Sequence, residues 1–231
     1  MKKSELSAAI RAAYNDAGRS LGSEVTDEMA VPAYLAGRSL SRYVFWRKLD
    51  IIVATARLRP NTRVFDFGCG TGILLPRLCA EGRQVSATDL HPEIARSLAK
   101  NLGLANVTFV PADAWDATLP DGAFETIIAA NVLEHIVDRR KVLAVFRRKL
   151  TPTGALVISG PTENRLYRLG RRMIGFSGDY HVTTIDAILA DARATGFRQE
   201  RLARFPAPGP FCLYKIGAFS PDPAAAPERS P

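Results

Sequence analysis

The chain has 231 residues, 47% of them apolar and 23% charged, and carries a formal net charge of +8. That length suffices for one α/β domain with a full core and a few additions, and no apolar run approaches the ~18 residues of a membrane span. The positive charge asks for an acidic partner, which could be nucleic acid, an anionic membrane surface or an anionic substrate. Two lysines open the chain, but neither an apolar stretch nor a cleavage signature follows, so no signal peptide is expected. Cys69, Cys79 and Cys212 form no metal-type pair and no even disulfide set, which suits a reducing cytoplasm.

In chain order, residues Ser4 to Ala17 read as a helix with Leu6, Ile10, Ala13 and Ala17 on its apolar face. Gly18 to Pro32 reads as a loop. Ala33 to Leu58 reads as a second helix with Leu35, Leu40, Val44, Leu49, Ile52 and Val53 inward, stopped by Pro60-Asn61. The expected strands are Arg63–Phe67, Gln84–Thr88, Val107–Val110, Phe124–Ala130, Ala155–Ser159, Arg198–Arg204 and Phe211–Phe219. Helical patterns at Ile73–Glu81, Pro92–Leu102, Arg139–Leu150 and Thr184–Thr195 alternate with them. Alternation of this kind argues for an α/β fold with a largely parallel seven-stranded sheet covered on both faces, a three-layer sandwich. The connection from Pro206 to Pro210 is too short for a parallel crossover, so the last strand should be antiparallel. The divisions expected are a helical cap at 1–60, the α/β domain at 61–219 with a basic insertion at 164–181, and a disordered Pro/Ala-rich tail at 220–231.

The glycine loop after the first strand, Asp66-Phe67-Gly68-Cys69-Gly70-Thr71-Gly72, organises the rest. Strand, glycine loop and helix in that order form a nucleotide-binding turn, with backbone N–H groups facing the ligand. The third glycine comes one residue too early for the dinucleotide fingerprint G-x-G-x-x-G. Asp66, two residues before Gly68, would repel a pyrophosphate and would welcome a cationic head. The motif resembles the first motif of the class I S-adenosylmethionine-dependent methyltransferases, and the segment Leu133-Glu134-His135 resembles the ubiquinone-biosynthesis O-methyltransferase group.

That resemblance, covering most of Asn61 to Gly196, implies a Rossmann-like fold, S-adenosyl-L-methionine as cofactor, and N-terminal helices that cover cofactor or substrate. It implies cofactor contacts at Asp66, Gly68, Cys69, Gly70, Gly72, Leu90, Ala114 and Asn131. Asp89 stands 23 residues after Asp66 at the end of the second strand, where an acid accepts both ribose hydroxyls, or caps the following helix. Asp113 follows the third strand, and the resemblance gives it the adenine amine; a plain turn aspartate is the alternative. Some relatives carry a glutamate at the position of Asn131, proposed to help bind a metal with the Glu-His pair; with Asn131 there, no metal site is expected.

Methyl transfer to a hydroxyl gains from a general base, for which histidine is the usual choice. His91 reads as a surface residue and Glu134 as a helix-start carboxylate, while His135 and His181 are the catalytic candidates. The fourth strand ends in Asn131-Val132-Leu133 and carries neither the Pro-Pro-aromatic motif of base-amine enzymes nor a Pro-Cys, so nucleic acid is not the expected substrate. The rival readings are an RNA-associated methyltransferase and an inactive cofactor-binding protein. At helical spacing Arg165, Arg168, Arg171 and Arg172 fall on one side, and Leu166, Leu169 and Met173 on another. The expectation is a small or lipid-like acceptor and a cytoplasmic protein that touches the inner face of an anionic membrane through this insertion.

Overall fold

The structure, a computed structural model, describes residues 2–18, 21, 40–173 and 182–225. One seven-stranded sheet organises them: β1 (Arg63–Phe67), β2 (Gln84–Thr88), β3 (Val107–Phe109), β4 (Phe124–Ala130), β5 (Leu150–Pro161), β6 (Phe197–Phe205) and β7 (Tyr214–Pro221), in the order β3-β2-β1-β4-β5-β7-β6. β1 pairs in parallel with β2 and β4, and β7 runs antiparallel between β5 and β6. The short proline-rich connection thus forces the reversal expected of it.

The helices are α1 (Lys3–Ala13), α2 (Leu40–Ala56), α3 (Leu75–Leu78), α4 (Glu93–Asn101), α5 (Trp115–Thr118), α6 (Arg139–Lys149), α7 (Arg165–Met173) and α8 (Ile185–Ala194). Two clusters fill the sheet's faces. Leu6 and Ile10 of α1, Trp46, Leu49 and Ile52 of α2, and Ile94 and Leu98 of α4 pack on one face with Val64 and Ile128. On the other, Phe65 and Phe67 of β1 meet Trp115 and Phe146, with ring centroids 5.1 Å (Phe67–Trp115) and 5.0 Å (Phe67–Phe146) apart. Such pairs add ~0.5–1.5 kcal/mol each beyond area burial, so the central strand is held by an aromatic knot directly beneath its glycine loop.

Several boundaries differ from expectation for identifiable reasons. The first helix ends at Ala13 and widens into a π-turn over Tyr14–Gly18, which brings Asp16 Oδ2 to accept from Ser97 Oγ of α4 at 2.8 Å. Of the second helix, the described part starts at Leu40; residues 33–39 lie outside the described residues. After the glycine loop only one turn, α3, is regular: Glu81 takes φ 57° and breaks the pattern that had read through to it. β7 continues through Pro221, two residues into the expected tail, and Arg147 donates to the carbonyl of Asp222 at 2.8 Å. Residues 226–231 lie outside the described residues. Among the described residues, no helix is long and apolar enough to cross a membrane.

Candidate functional site

Strand order reverses between β1 and β4, and the crevice beyond their carboxyl ends is where open α/β sheets bind ligands. Gly68, Gly70 and Gly72 have φ of 75°, 53° and 74°, a left-handed run that a side chain would strain. Their surroundings differ. A Cβ on Gly68 would collide with Val132 of the turn after β4, and one on Gly72 would meet Ala95 of α4 at 3.0 Å. A Cβ on Gly70 would meet nothing within 4 Å. The outer glycines therefore serve packing, and Gly70 borders open space.

Both backbone amides before it are tied down: Gly68 and Cys69 donate to the Thr88 carbonyl at 2.9 and 3.0 Å. Asp89 holds the loop from the other side. Its Oδ2 accepts from the Gly70 amide at 2.7 Å and its Oδ1 from the His91 amide at 2.9 Å. Each oxygen retains a lone pair, but Asp89 does not cap the following helix, whose N-cap is Pro92 without a side-chain bond. Leu90 next to it is 81% exposed, an apolar surface at the lip of the crevice. Asp113 is exposed in the turn after β3, and the Ala114 amide donates to Pro111 within that turn.

Asp66 is the most telling side chain. It is 1% exposed at the end of β1, and neither carboxyl oxygen has a hydrogen-bond partner. Burial first, then the like charge of Asp89, pushes its pKa up to about 7. A buried carboxyl without a donor costs free energy unless a ligand supplies one. Burial foremost, then the charges of Asp66 and Asp89, push the Cys69 thiol well above its usual range.

Asn131, at the end of β4, adopts φ 57°, a left-handed conformation in a non-glycine residue at the mouth of the site. Its Oδ1 accepts from Lys48 Nζ at 3.0 Å and Ser159 Oγ at 3.2 Å, and its Nδ2 donates to Glu134 Oε1 at 3.3 Å. Its side chain is thus engaged by the protein, and its backbone amide donates to the Ser159 carbonyl at 2.9 Å. Glu134 is not a helix-start carboxylate: it is 1% exposed within the 3₁₀ turn Leu133–His135, and α6 begins only at Arg139. His135 is half-buried in that turn. His181 lies outside the described residues, but Val182 after it donates its amide to the Glu134 carbonyl at 2.9 Å.

Sequence reasoning passed over Lys48. It is 4% exposed, its Nζ lying 4.8 Å from the Phe45 ring centroid and 4.6 Å from that of Tyr214. Burial, opposed in part by the charge of Glu134, brings its pKa down to about 8. The signal was present: Lys48 falls in register with Val44 and Ile52 on the apolar stripe of its helix, where a lysine is out of place. The basic insertion begins as expected with α7. Its leucines do not pack on the sheet: Leu166 and Leu169 are 41% and 56% exposed beside exposed Arg165 and Arg168. Tyr167 packs instead, edge-on to Tyr214 with centroids 5.5 Å apart. The side chains of Arg171, Arg172 and Met173 lie outside the described residues.

Comparison with known proteins agrees with this geometry. Residues 65–158 match the family described as a methyltransferase domain. The ubiquinone/menaquinone biosynthesis C-methyltransferase of Psychromonas ingrahamii is 30% identical over 127 residues, 52% of this chain and 50% of that one. The ubiquinone biosynthesis O-methyltransferase of Xanthomonas campestris is 32% identical over 121 residues, 51% of this chain and 49% of that one. The chain spans about half the length of these curated relatives. Among solved structures, the [4+2]-cyclase SpnF superposes with a TM-score of 0.65 at 19% identity, over 80% of this chain and 84% of that one, which speaks to the fold alone.

Proposed function

We propose, from the premise that the chain is a class I S-adenosyl-L-methionine-dependent methyltransferase with that molecule as cofactor, that it moves a methyl group to a hydroxyl of a small or lipid-like acceptor. The observation that carries the cofactor's place is Asp66. A buried carboxyl with two unused oxygens, below a glycine loop open at Gly70, fits a ligand whose head is cationic and lacks phosphate. In this reading Asp89, which keeps one lone pair per oxygen, takes the ribose hydroxyls, Leu90, Asp113 and Ala114 take the adenine end, and Gly68, Cys69, Gly72 and Asn131 complete the cofactor contacts.

The cofactor supplies a methyl group on a sulfonium, an already activated leaving group. This chain's task is then alignment, water exclusion and removal of the acceptor's proton. His135 and His181 are the residues we assign to contact with the acceptor, since the turn carrying His135 and the chain at Val182 meet at the carboxyl edge of the sheet. Calorimetry with S-adenosylmethionine and its demethylated product tests the premise. Incubation of methyl-labelled cofactor with a whole-cell extract tests the rest: label in the lipid or aqueous small-molecule fraction supports the reading, and label in RNA or protein replaces it.

The second reading is a protein that keeps the cofactor site without methyl transfer, since a fold does not by itself fix an activity. Binding heat with no label in any fraction would select it. The exposed Leu166 and Leu169 beside Arg165 and Arg168 also support peripheral contact with an anionic membrane, through which a lipid-like acceptor would arrive.

A further inference from the structure

The left-handed turn that ends β4 is held from several directions at once. Asn131 takes φ 57°, a conformation that Asn adopts more readily than other residues with a Cβ, but only where contacts enforce it. Strand β5 grips it at two points: its backbone amide donates to the Ser159 carbonyl at 2.9 Å, and its Oδ1 accepts from Ser159 Oγ at 3.2 Å. Lys48 Nζ of α2 donates to the same Oδ1 at 3.0 Å, and Asn131 Nδ2 donates to Glu134 Oε1 at 3.3 Å. An ammonium only donates and a carboxylate only accepts, so the amide oxygen must face Lys48 and the amide nitrogen Glu134. The next residue, Val132, lies on the glycine loop, where a Cβ at Gly68 would collide with it. A continuous chain of contacts therefore runs from Lys48 through Asn131 and Val132 to Gly68.

Lys48 is 4% exposed, packed against the rings of Phe45 and Tyr214, so any effect it has on a ligand passes through Asn131. An apolar residue at this position would pack against those rings equally well, as Leu49 and Ile52 do in the same core. What the ammonium adds is the bond to Asn131 and a charge opposite Glu134. The other polar tie of α2 has different partners: Asp50 pairs with Lys3 of α1 and Arg77 of α3, each at 2.8 Å. Lys149 shows what a buried lysine does when it serves the fold alone. Its ammonium donates to the Asp116 and Leu119 carbonyls and to Asp121 Oδ1 at 2.6, 2.6 and 2.7 Å, all within one connection between α5 and β4.

We infer that Lys48 is a positioning residue for the cofactor: it holds Asn131 left-handed, seats the turn after β4 on Gly68, and so couples the docking of α2 to cofactor binding. This rests on the methyltransferase reading above. Coupling of this kind is reciprocal, so the cofactor must tighten α2 by as much as α2 tightens the cofactor.

The test uses the full chain and S-adenosylhomocysteine, with affinity read by calorimetry well below the unfolding temperature of each variant. Wild-type protein that binds none overturns the methyltransferase reading, and this inference with it; once the wild type binds, every other outcome bears on Lys48 alone. Lys48→Met, which keeps the apolar stem, should bind about tenfold more weakly, the weight of one charge-assisted hydrogen bond. Asn131→Gly, which takes the left-handed turn freely but has no amide, should lose at least as much. The double variant should bind no more weakly than Asn131→Gly, because Lys48 acts through that amide. Asp50→Asn loosens α2 at its other tie and should leave affinity unchanged. Unchanged affinity in Lys48→Met, losses that multiply to about a hundredfold in the double variant, or an equal loss in Asp50→Asn each overturn the inference. Hydrogen exchange adds a readout that does not need Lys48→Met to fold. In the wild type, S-adenosylhomocysteine should slow amide exchange along α2 about tenfold more than along α6, which packs on the opposite face of the sheet. That excess should vanish in Asn131→Gly. No excess in the wild type, or the same excess in both proteins, overturns the coupling.

Discussion

The two halves of the crevice are built by opposite means. On the β1–β2 side, a short run of chain and one carboxylate do the work: positive-φ glycines, two amides held by Thr88 and two held by Asp89. On the β4–β7 side, the residues come from far apart, with Phe45 and Lys48 from α2, Asn131 and Glu134 after β4, Ser159 from β5 and Tyr214 from β7. A ligand common to a whole family can be bound by backbone geometry, which tolerates little variation. An acceptor particular to one protein needs side chains, and these can be replaced one at a time without disturbing the sheet.

The sharpest way to break this comparison is within the glycine loop. Gly68→Ala places a Cβ against Val132 at φ 75°, so it should cost more than ~3 kcal/mol of stability, or prevent folding. Gly70→Ala meets no protein atom, so only its φ of 53° should be felt, at ~1 kcal/mol, while cofactor affinity falls disproportionately. Thermal unfolding and calorimetry on both variants check it; equal losses of stability would mean that Gly70 does not border the ligand.

Asp66 offers the next largest effect, through pH. Its folded pKa, about 7, is raised above the ordinary value of 3.8, so the unfolded chain ionises first as pH rises. The stability it contributes is therefore fully present below the unfolded value and is lost as pH climbs through about 7. Asp66→Asn should accordingly raise the melting temperature of the ligand-free protein at pH ~8. A cationic head binds the ionised form, so wild-type affinity should fall about tenfold per pH unit below the folded value, ~2.7 kcal/mol over two units. Affinity independent of pH in the wild type, or unchanged in Asp66→Asn, would separate Asp66 from the cofactor.

Asp89→Ala follows. It removes the acceptor of two backbone amides and both proposed ribose contacts, so loop and ligand should weaken together, with cofactor affinity down by ~2 kcal/mol. Asn at this position keeps one acceptor and should recover part of the loss. Calorimetry on both variants checks the order.

What was legible in the sequence follows the same division. β1, β2 and β4 fall where the apolar runs and turn residues put them, because strands buried on both faces leave unbroken apolar stretches. The tight turn at the three glycines was legible because its positive φ angles are a local matter. Glu134 was misread because the turn after β4 closes as 3₁₀ and buries it, which depends on contacts with chain distant in sequence. Lys48 was passed over because helical periodicity is read for its apolar members. Its environment is made by Asn131 and Tyr214, 83 residues away in one case, and no local pattern reports that.

The smallest expected effect lies at the rim, on α7. Arg165, Leu166, Arg168 and Leu169 are all exposed, and Tyr167 packs edge-on to Tyr214. A short helix with two outward leucines gains little from apolar insertion, so charge must supply most of any attachment, at ~1 kcal/mol per basic residue near an anionic surface. Binding should then be peripheral, confined to anionic vesicles and weakened by salt. Changing Arg165 and Arg168 to Glu should abolish it while leaving S-adenosylhomocysteine affinity intact, because neither side chain belongs to the cofactor half. Leu169→Ser should weaken it less. Co-sedimentation with neutral and anionic vesicles at low and high salt reads this directly: equal pelleting with both lipids, or none with either, removes the membrane from the account and leaves these arginines to an anionic group on a soluble acceptor.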